Sequence, residues 1–316
     1  MTTLSKPKQA DFGRAFEWAI GASFSRKTGA KIIESQFSKN AEISHEKMTE
    51  KTKNTFSVAA DIAIDHILIK EAATLDSSPN KTIQFNADSA GKKGDVRDVI
   101  LHIGNKSIGV SCKHNHEALK HSRLSGRANF IKTWGIDEAG CSEAYWAKVK
   151  PLFAQLTTLR KESKGLMLWD QLDDKAASYY WPVLDAWAAD IQVLCDQGGE
   201  KQEAVCRAII SYLVGKFDFY KVICEGQKRV SIQGFNFNKT LATKKTKYPT
   251  CINAINNKNG GQYSKTVVFN HGYSINFRIH SASSKIESSL KFDITAIGLP
   301  VNEVYQQTFD IPKQGA

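Results

Sequence analysis

The chain has 316 residues, of which 41% are hydrophobic, and this excludes a disordered chain and allows one large domain or two modest ones. Its formal charge of +11 favours a polyanionic partner, most commonly nucleic acid, over a basic surface that serves solubility alone. The N-terminal residues lack the apolar core of a signal peptide, and no apolar run is long enough to span a bilayer. We therefore expect a cytoplasmic protein without a membrane partner.

The six cysteines are scattered along the chain and form no CxxC pair or Cys/His cluster at the spacing of a zinc site. This distribution is typical of buried thiols in a reducing compartment. They are Cys112, Cys141, Cys195, Cys206, Cys224 and Cys251.

The first predicted element is a helix over residues 8–24, in which apolar residues recur at every fourth position. These residues are Phe12, Phe16, Ile20 and Phe24. Glu17 lies beside this stripe, with Gly13 and Gly21 four residues before and after it. Glycine inside a helix costs about 1 kcal/mol relative to alanine, so the bare backbone indicates close approach of another element or of a ligand. Both explanations stay open on the sequence.

The segment that follows predicts helices over 40–54 and 56–75, a turn at 77–80, a strand over 82–86 and a loop over 88–94. Next comes a β-hairpin, whose strands cover 98–103 and 107–113.

The two hairpin strands can bring charged residues together. Strand side chains alternate between faces, so Asp98 on the first strand can meet Ser111 and Lys113 on the second. A metal-binding carboxylate beside an ammonium group is the arrangement of a magnesium-dependent phosphodiesterase site. Two solvated strand ends are the alternative.

A basic, histidine-rich segment follows the hairpin over residues 114–132. Beside a metal site such residues would contact phosphates, although a solvated charged face has the same composition. The predicted contacts are His114, His116, Lys120, His121, Arg123 and Arg127. The string HNH at 114–116 is not the HNH nuclease signature, whose residues are dispersed through a ββα unit.

Helical periodicity continues over residues 142–215, with Pro151 as a predicted break or kink, and strand patterns begin at residue 217. The predicted strands cover 218–224, 229–237, 265–271, 273–284 and 289–298. We therefore expect an α/β (α+β) protein with two regions. Residues 1–216 form a core with a helical middle segment, and residues 217–316 form a β-rich subdomain.

Five strings in this order, GDVRDVIL, GVSCKHNHEALKHSRLS, DFYKVI, FRIHSASS and SLKFDITAIGLP, resemble the HaeIII-type family of type II restriction endonucleases. The resemblance spans nearly the whole chain, and SCKHNHEALKHSRLS and RIHSASSKIESSLKFD are its most specific parts. It implies the PD-(D/E)XK nuclease class, with a restriction-endonuclease-like core of a mixed β-sheet flanked by helices. It also implies cleavage of double-stranded DNA at the palindrome GGCC, between G and C, giving blunt ends with 5′-phosphates.

The resemblance assigns Asp98 to the acid of the PD position and Lys113 to the lysine of (D/E)XK. Ser111 departs from the class, which usually has Asp or Glu there, and a hydroxyl is a weak ligand for magnesium. The site therefore lacks one carboxylate.

Three acids are candidates to replace the missing carboxylate: Glu17 first, Asp95 second and Glu117 third. The implied cofactor is Mg²⁺, bound by Asp98, by Glu17 or alternatively Asp95, and by the backbone carbonyl of Cys112. Catalysis would then rest on Asp98, Lys113 and Glu17.

The β-rich subdomain is the expected target-recognition region, because basic residues cluster in the strands that carry the resemblance. They are Arg278, His280, Lys285 and Lys291. Arginine is the commonest reader of guanine, so we expect Arg278 and Arg123 to determine specificity.

Two other functions share these features. One is a structure-specific nuclease of the same class, such as a junction resolvase or repair enzyme, and the other is a non-catalytic basic DNA-binding protein. A restriction enzyme would have a cognate methyltransferase that protects the same site without contacting it. A palindromic target is compatible with a homodimer and with a monomer that cuts the strands in turn.

Overall fold

The structure is a computed structural model that describes residues 7–115, 118–258 and 264–312. Its helices are α1 (Gln9–Thr28), α2 (Gln36–Glu46), α3 (Glu50–Lys70), α4 (Ala72–Leu75), α5 (Phe130–Thr133), α6 (Glu143–Glu162), α7 (Trp181–Cys195) and α8 (Gly199–Val214). Its strands are β1 (Lys31–Ile32), β2 (Lys81–Phe85), β3 (Val99–Ile103), β4 (Lys106–His114), β5 (Ala118–Ser125), β6 (Phe219–Glu225), β7 (Arg229–Phe235), β8 (Ile252–Asn257), β9 (Ser264–Phe269), β10 (Ser274–His280), β11 (Ser289–Gly298) and β12 (Tyr305–Asp310). In the described part of the chain, no helix combines the length and the apolar character needed to cross a membrane.

The strands form two sheets. The seven-stranded sheet has the order β1-β2-β3-β4-β6-β7-β12 and is mixed, with β1/β2 and β4/β6 parallel and the other pairs antiparallel. The five-stranded sheet has the order β5-β11-β10-β9-β8 and is antiparallel throughout. The predicted combination of helices with a mixed sheet is confirmed.

The described residues separate into two compact units, one around each sheet. Unit 1 comprises 7–115, 214–247 and 301–312, and unit 2 comprises 118–213, 248–258 and 264–300. The predicted boundary at residue 216 differs from this division. Because β6 pairs in parallel with β4, residues 219–225 return to the first sheet, and this long-range pairing leaves no trace in local sequence.

The core of unit 1 lies between its sheet and the helices α1 and α3. Phe16 and Phe56, one from each helix, pack among the strand residues Val110, Cys112 and Tyr220, and all five are at most 5% exposed. Burial of these apolar surfaces against the sheet stabilises the helices and fixes the position of their other residues.

The predicted boundary between the second and third helices is wrong by several residues. Residues 50–70 form one helix, α3, because the Thr49 side chain accepts a hydrogen bond from the Thr52 N–H and so begins it. Of the break or kink predicted at Pro151, the break is wrong. The helix α6 continues through Pro151, where the ring removes one backbone donor without ending the helix.

The predicted hairpin is confirmed. Strands β3 and β4 are antiparallel, with Val99 opposite Val110 and Ile103 opposite Lys106, and the turn between them contains Gly104 in the left-handed conformation. The Asp98 N–H donates to the Val110 carbonyl at 2.8 Å, which extends the pairing by one residue. Asp98 therefore lies beside Ser111 at the end of the hairpin.

Unit 2 has an aromatic core. The Trp187 ring lies 4.6 Å from Phe277 and 5.3 Å from Phe292, and the Trp134 ring lies 4.8 Å from Tyr212. The helices α5, α7 and α8 thus contribute aromatic rings that pack together with those of strands β10 and β11. Residues from the helical middle of the sequence and from its C-terminal strands form a single core here.

Candidate active site

The Asp98 carboxylate is held by the strand beside it. Its Oδ2 accepts hydrogen bonds from the Cys112 N–H at 2.7 Å and from the Ser111 hydroxyl at 3.3 Å. In the described part of the chain, no hydrogen bond of Asp98 uses Oδ1. One carboxylate oxygen is fixed, and the other is available to a ligand.

Lys113 pairs with the same carboxylate. Its Nζ lies 3.5 Å from Asp98 Oδ2, and both side chains are about one quarter exposed, at 27% and 28%. Burial opposes the charge of Lys113, but attraction to Asp98 and Glu17 outweighs it, so the pKa of Lys113 is raised. The lysine therefore carries its positive charge at neutral pH.

Ser111 explains how the strand can lack the usual carboxylate. Its side chain is buried, with the residue only 4% exposed, and its hydroxyl donates to Asp98. A second carboxylate at this position would place another negative charge directly beside Asp98. Ser111 instead supports the Asp98 carboxylate.

Glu17 on α1 belongs to the same electrostatic site. Burial raises the pKa of Glu17 to about 8, repulsion from Asp98 adds to the rise, and Lys113 opposes it. The side chain is partly exposed, so a ligand can reach it. The structure therefore brings together the three residues predicted to be catalytic.

The glycines on either side of Glu17 have different roles. A Cβ at Gly21 would lie 2.4 Å from the Phe85 ring, so this glycine allows α1 to pack closely on β2. A Cβ at Gly13 would meet no atom of the described residues within 4 Å. From the sequence, either helix packing or the approach of a ligand could explain the two glycines. Packing explains Gly21 but not Gly13.

Asp95, the second candidate ligand, is engaged by Arg97. The Arg97 Nε and Nη2 donate to its two oxygens at 2.8 Å each, and Asn86 Nδ2 donates to it at 3.2 Å. Burial opposes the charge of Asp95, but the hydrogen bonds from Arg97 outweigh it, so the pKa of Asp95 is lowered. Asp95 thus fixes the loop that leads to Asp98.

Arg97, which the sequence did not single out, is the centre of that loop. It is buried, its guanidinium lies 4.0 Å from the centre of the Phe217 ring, and its side chain fills the space beside Gly109. A Cβ at Gly109 would lie 2.1 Å from the Arg97 Cδ, so only glycine fits beneath the arginine. The sequence signals for this contact were the string GDVRD and Gly109. No local pattern connects the two, so the contact was not predicted.

Of the remaining predicted site residues, the structure describes Cys112 but not Glu117 or His116. The Cys112 side chain is buried in the core, and burial together with repulsion from Asp98 raises the pKa of its thiol, so only its backbone is a candidate ligand.

The donors present suit a hard divalent cation. Within the described residues, no group of three or more His, Cys, Asp or Glu side chains could hold a metal. Magnesium, however, is commonly bound by one or two carboxylates, with water and phosphate oxygens completing its shell. Asp98 and Glu17 repel each other, and a cation between them would relieve that repulsion.

Comparison with known proteins gives the family of the chain. The family model of the HaeIII restriction endonuclease matches residues 13–300, which include Asp98 and Lys113. The chain belongs to the HaeIII restriction endonuclease family. It is 32% identical to the type II restriction enzyme HaeIII of Haemophilus aegyptius over 319 aligned residues, covering 95% of this chain and 98% of that enzyme. No solved structure matches it. The predicted family and the prediction of an endonuclease are confirmed.

In this HaeIII-family endonuclease, two of the predicted DNA contacts are packed against protein. The His114 ring stacks on Phe12 at 5.4 Å, and burial lowers its pKa, so the ring favours the neutral form. The Lys120 Nζ donates to the Tyr212 carbonyl at 2.8 Å and lies 3.6 Å from the centre of its ring. Burial lowers the pKa of Lys120 to about 8.

The other basic residues lie mainly on one face of the five-stranded sheet, which we call the polar face and define by Arg123, Arg278, His280, Lys291 and Asp293. The neighbours of these residues along the strands, such as Phe277 and Phe292, point into the core. On the polar face Arg278 lies opposite Asp293, and His280 lies opposite Lys291. Lys285 and Arg127 are exposed outside the paired strands, and the His121 side chain is not described.

Asp293 pairs with two other residues of the polar face and was not predicted from the sequence. Its Oδ2 lies 2.5 Å from His280 Nε2, and its Oδ1 lies 3.4 Å from the Lys291 Nζ. Arg123 is paired separately, with Glu287 and with the Ser289 hydroxyl at 3.0 Å each. The alternation of SLKFDITAIG contained the signal, because Lys291 and Asp293 share a face of that strand.

Proposed function

We propose that this enzyme hydrolyses double-stranded DNA at the palindrome GGCC, between G and C, using Mg²⁺ and leaving blunt ends with 5′-phosphates. Membership of the HaeIII family supports DNA cleavage, and the name of the relative supports the target. The observation that carries the chemistry is the cluster of Asp98, Lys113 and Glu17 at the end of the hairpin. Restriction endonucleases generally use a divalent metal ion.

Asp98 and Glu17 would hold the magnesium, together with the carbonyl of Cys112. Asp98 is suited to this because Oδ2 is fixed by the strand and Oδ1 is not. Glu17 is favoured over Asp95, since Arg97 already donates to both oxygens of Asp95. When bound, Mg²⁺ would neutralise charge at the scissile phosphate and lower the pKa of a bound water.

Lys113 acts as a donor in this proposal. Because its pKa is raised, it stays protonated and is unsuited to be the base. Its ammonium group would orient the attacking water and stabilise the charge that develops on the phosphate during in-line attack. The 3′-oxygen leaves, and the 5′-phosphate remains on the other product.

Unit 2 is the proposed target-recognition unit, because its polar face presents side chains that pair with base edges. Arg278 is exposed on β10, and arginine pairs with guanine in the major groove. Arg123 is the second proposed reader, although its contact with Glu287 commits part of its guanidinium. Lys120 and His114 are less suited to contact DNA, since protein surrounds them.

The test is to incubate the purified protein with plasmid DNA, once in Mg²⁺ and once in EDTA, and to sequence the ends. Discrete fragments that begin with CC and end with GG in Mg²⁺ alone would support the proposal. Unselective nicking would favour a structure-specific nuclease, and intact but shifted DNA would favour a binding protein. Protection of the sites by a GGCC-specific methyltransferase would test the proposed methylation partner. The mass of the enzyme in solution would distinguish a monomer from a dimer.

A further inference from the structure

Unit 1 carries a basic segment that the proposed chemistry does not use. Residues 238–247, which we call the lysine loop, have the sequence NKTLATKKTK, with four lysines and no acidic residue. Lys239, Lys244 and Lys245 are exposed, and none forms an ion pair with a described residue. Surfaces that serve solubility usually mix the two signs of charge, which this loop does not.

Buried polar side chains hold the backbone of the lysine loop. Asp218, 4% exposed, accepts hydrogen bonds from the N–H groups of Asn238 and Thr240 at 2.9 Å each. Asn236, 1% exposed, donates to the carbonyls of Leu241 and Thr243 at 3.0 and 2.6 Å. These contacts fix the loop although it has no regular secondary structure.

Two further contacts complete this frame. Glu71 is fully buried and accepts from the Ala242 N–H at 2.8 Å. The backbone at Lys239 is in the left-handed region, with φ +64°, which is uncommon for a residue other than glycine. The loop is therefore ordered before any ligand binds, so its lysines lose less conformational entropy on binding.

The loop is connected to the segment that precedes Asp98. The Asn238 Nδ2 donates to the Lys216 carbonyl at 3.1 Å, and the Lys216 N–H donates to the Gly94 carbonyl at 2.7 Å. Asp218 lies three residues before Lys221, which is beside Ser111 in the sheet. At about 3.3 Å per residue, Asp218 at the base of the loop is about 10 Å along the sheet from the position of Ser111 and about 16 Å from that of Lys113, which lies beside Ile223.

We propose that the lysine loop is a second phosphate-binding surface of the catalytic unit, which contacts the DNA backbone outside the target. The distance of about 16 Å from the position of Lys113 corresponds to about five base pairs of duplex. A cut at the centre of four base pairs leaves two on each side, so the contacted phosphates flank the target. This inference rests on the proposed function.

The experiment measures DNA binding by the Asp98→Asn protein in EDTA, which prevents cleavage. Lys239, Lys244 and Lys245 are all changed to alanine, and the matched control changes Lys31, Lys51 and Lys106, which are exposed in unit 1 and form no ion pair with a described residue. The probes are 20-base-pair duplexes with and without GGCC. Affinity is measured from about 50 to 200 mM salt, and thermal melting verifies that each variant is folded.

Each phosphate contact contributes about 0.9 to the steepness with which log affinity falls with log salt. The loop variant should therefore reduce the magnitude of this slope by about 2 to 3 on both duplexes. Changing the same lysines to arginine should preserve it. An unchanged slope, or an equal fall in the control, would overturn the inference. If the wild type cuts DNA in Mg²⁺ while the slope is unchanged, only the loop inference fails, whereas absence of cutting would refute the proposed function.

Discussion

The two sheets of this enzyme differ in how far their polar and charged residues are exposed. In the seven-stranded sheet, every residue of β6 from Phe219 to Cys224 is buried, Lys221 included, and Asp98 lies at a strand end. In the five-stranded sheet, β10 and β11 carry buried apolar residues such as Phe277 and Phe292 on one face and polar residues such as Arg278 and Lys291 on the other. Strands with parallel neighbours are usually covered on both faces, whereas antiparallel sheets can leave one face in water.

The difference shows which tasks each sheet can perform. A covered sheet excludes water, so burial and the charge of Asp98 raise the pKa of Glu17 to about 8, and the two carboxylates raise the pKa of Lys113 against the effect of burial. A half-exposed sheet can present its polar side chains to a large ligand. We therefore assign the chemistry to unit 1 and propose target recognition for unit 2.

The largest expected effect tests the assignment of chemistry to unit 1. Asp98→Ala or Lys113→Ala should lower kcat by at least about 100-fold, or about 3 kcal/mol, because each removes a charge that acts at the scissile phosphate. DNA affinity in EDTA should change little. Single-turnover cleavage and gel shift measure the two quantities. Asp65→Ala, which removes an exposed acid of the same unit, is the control, and cleavage within about tenfold of wild type for either active-site variant would refute the assignment.

The second prediction separates Glu17 from Asp95. Glu17→Gln should raise the Mg²⁺ concentration needed for half-maximal cleavage by about tenfold or more, with little loss of thermal stability, because it removes a proposed ligand. Asp95→Asn should lower the melting temperature instead, since it breaks the pair with buried Arg97. Magnesium titrations and thermal melts distinguish the two. A Mg²⁺ requirement altered by Asp95→Asn alone would reverse the choice of ligand.

The third prediction concerns the polar face. Arg278→Ala should lower the preference for GGCC over sites with one altered base pair by about 10- to 100-fold, or about 1–3 kcal/mol, while cleavage of plasmid at low salt continues. Sequencing of all cut ends measures this preference. Arg160→Ala, which changes an exposed arginine of the same unit, is the control. A uniform loss of affinity for every sequence would instead identify Arg278 as a phosphate contact.

The smallest expected effect concerns pH. Below the ordinary carboxyl pKa of 4.5, Glu17 is protonated in both the folded and the unfolded chain, and between 4.5 and about 8 only the folded chain keeps the proton. Its contribution to stability therefore falls as the pH rises across this interval. In EDTA the advantage of Glu17→Gln over wild type in melting temperature should grow from pH 5 to pH 8. A constant difference would mean that Glu17 is not held in a charge-repelling site.

Much of the candidate active site followed from the sequence because its signals are local. The alternation of residues 98–113 and the turn at Gly104 determine the hairpin and bring Asp98, Ser111 and Lys113 to one end of it. The fourfold spacing on α1 likewise predicted the helix that carries Glu17. Five of the seven described strands after residue 217 were predicted for the same reason, since period-two alternation needs no knowledge of a partner, whereas β8 and β12 were missed.

Only the tertiary structure decided which of these elements belong together. The sequence placed the division between units at residue 216, but β6 and β7 complete the first sheet, and β5 joins the second through β11. The choice of Glu17 over Asp95 likewise depends on where Arg97 lies. Hydrogen bonds and buried charges connect residues that are distant in sequence. A local sequence pattern shows the periodicity of a residue, but it does not show which residue becomes its partner.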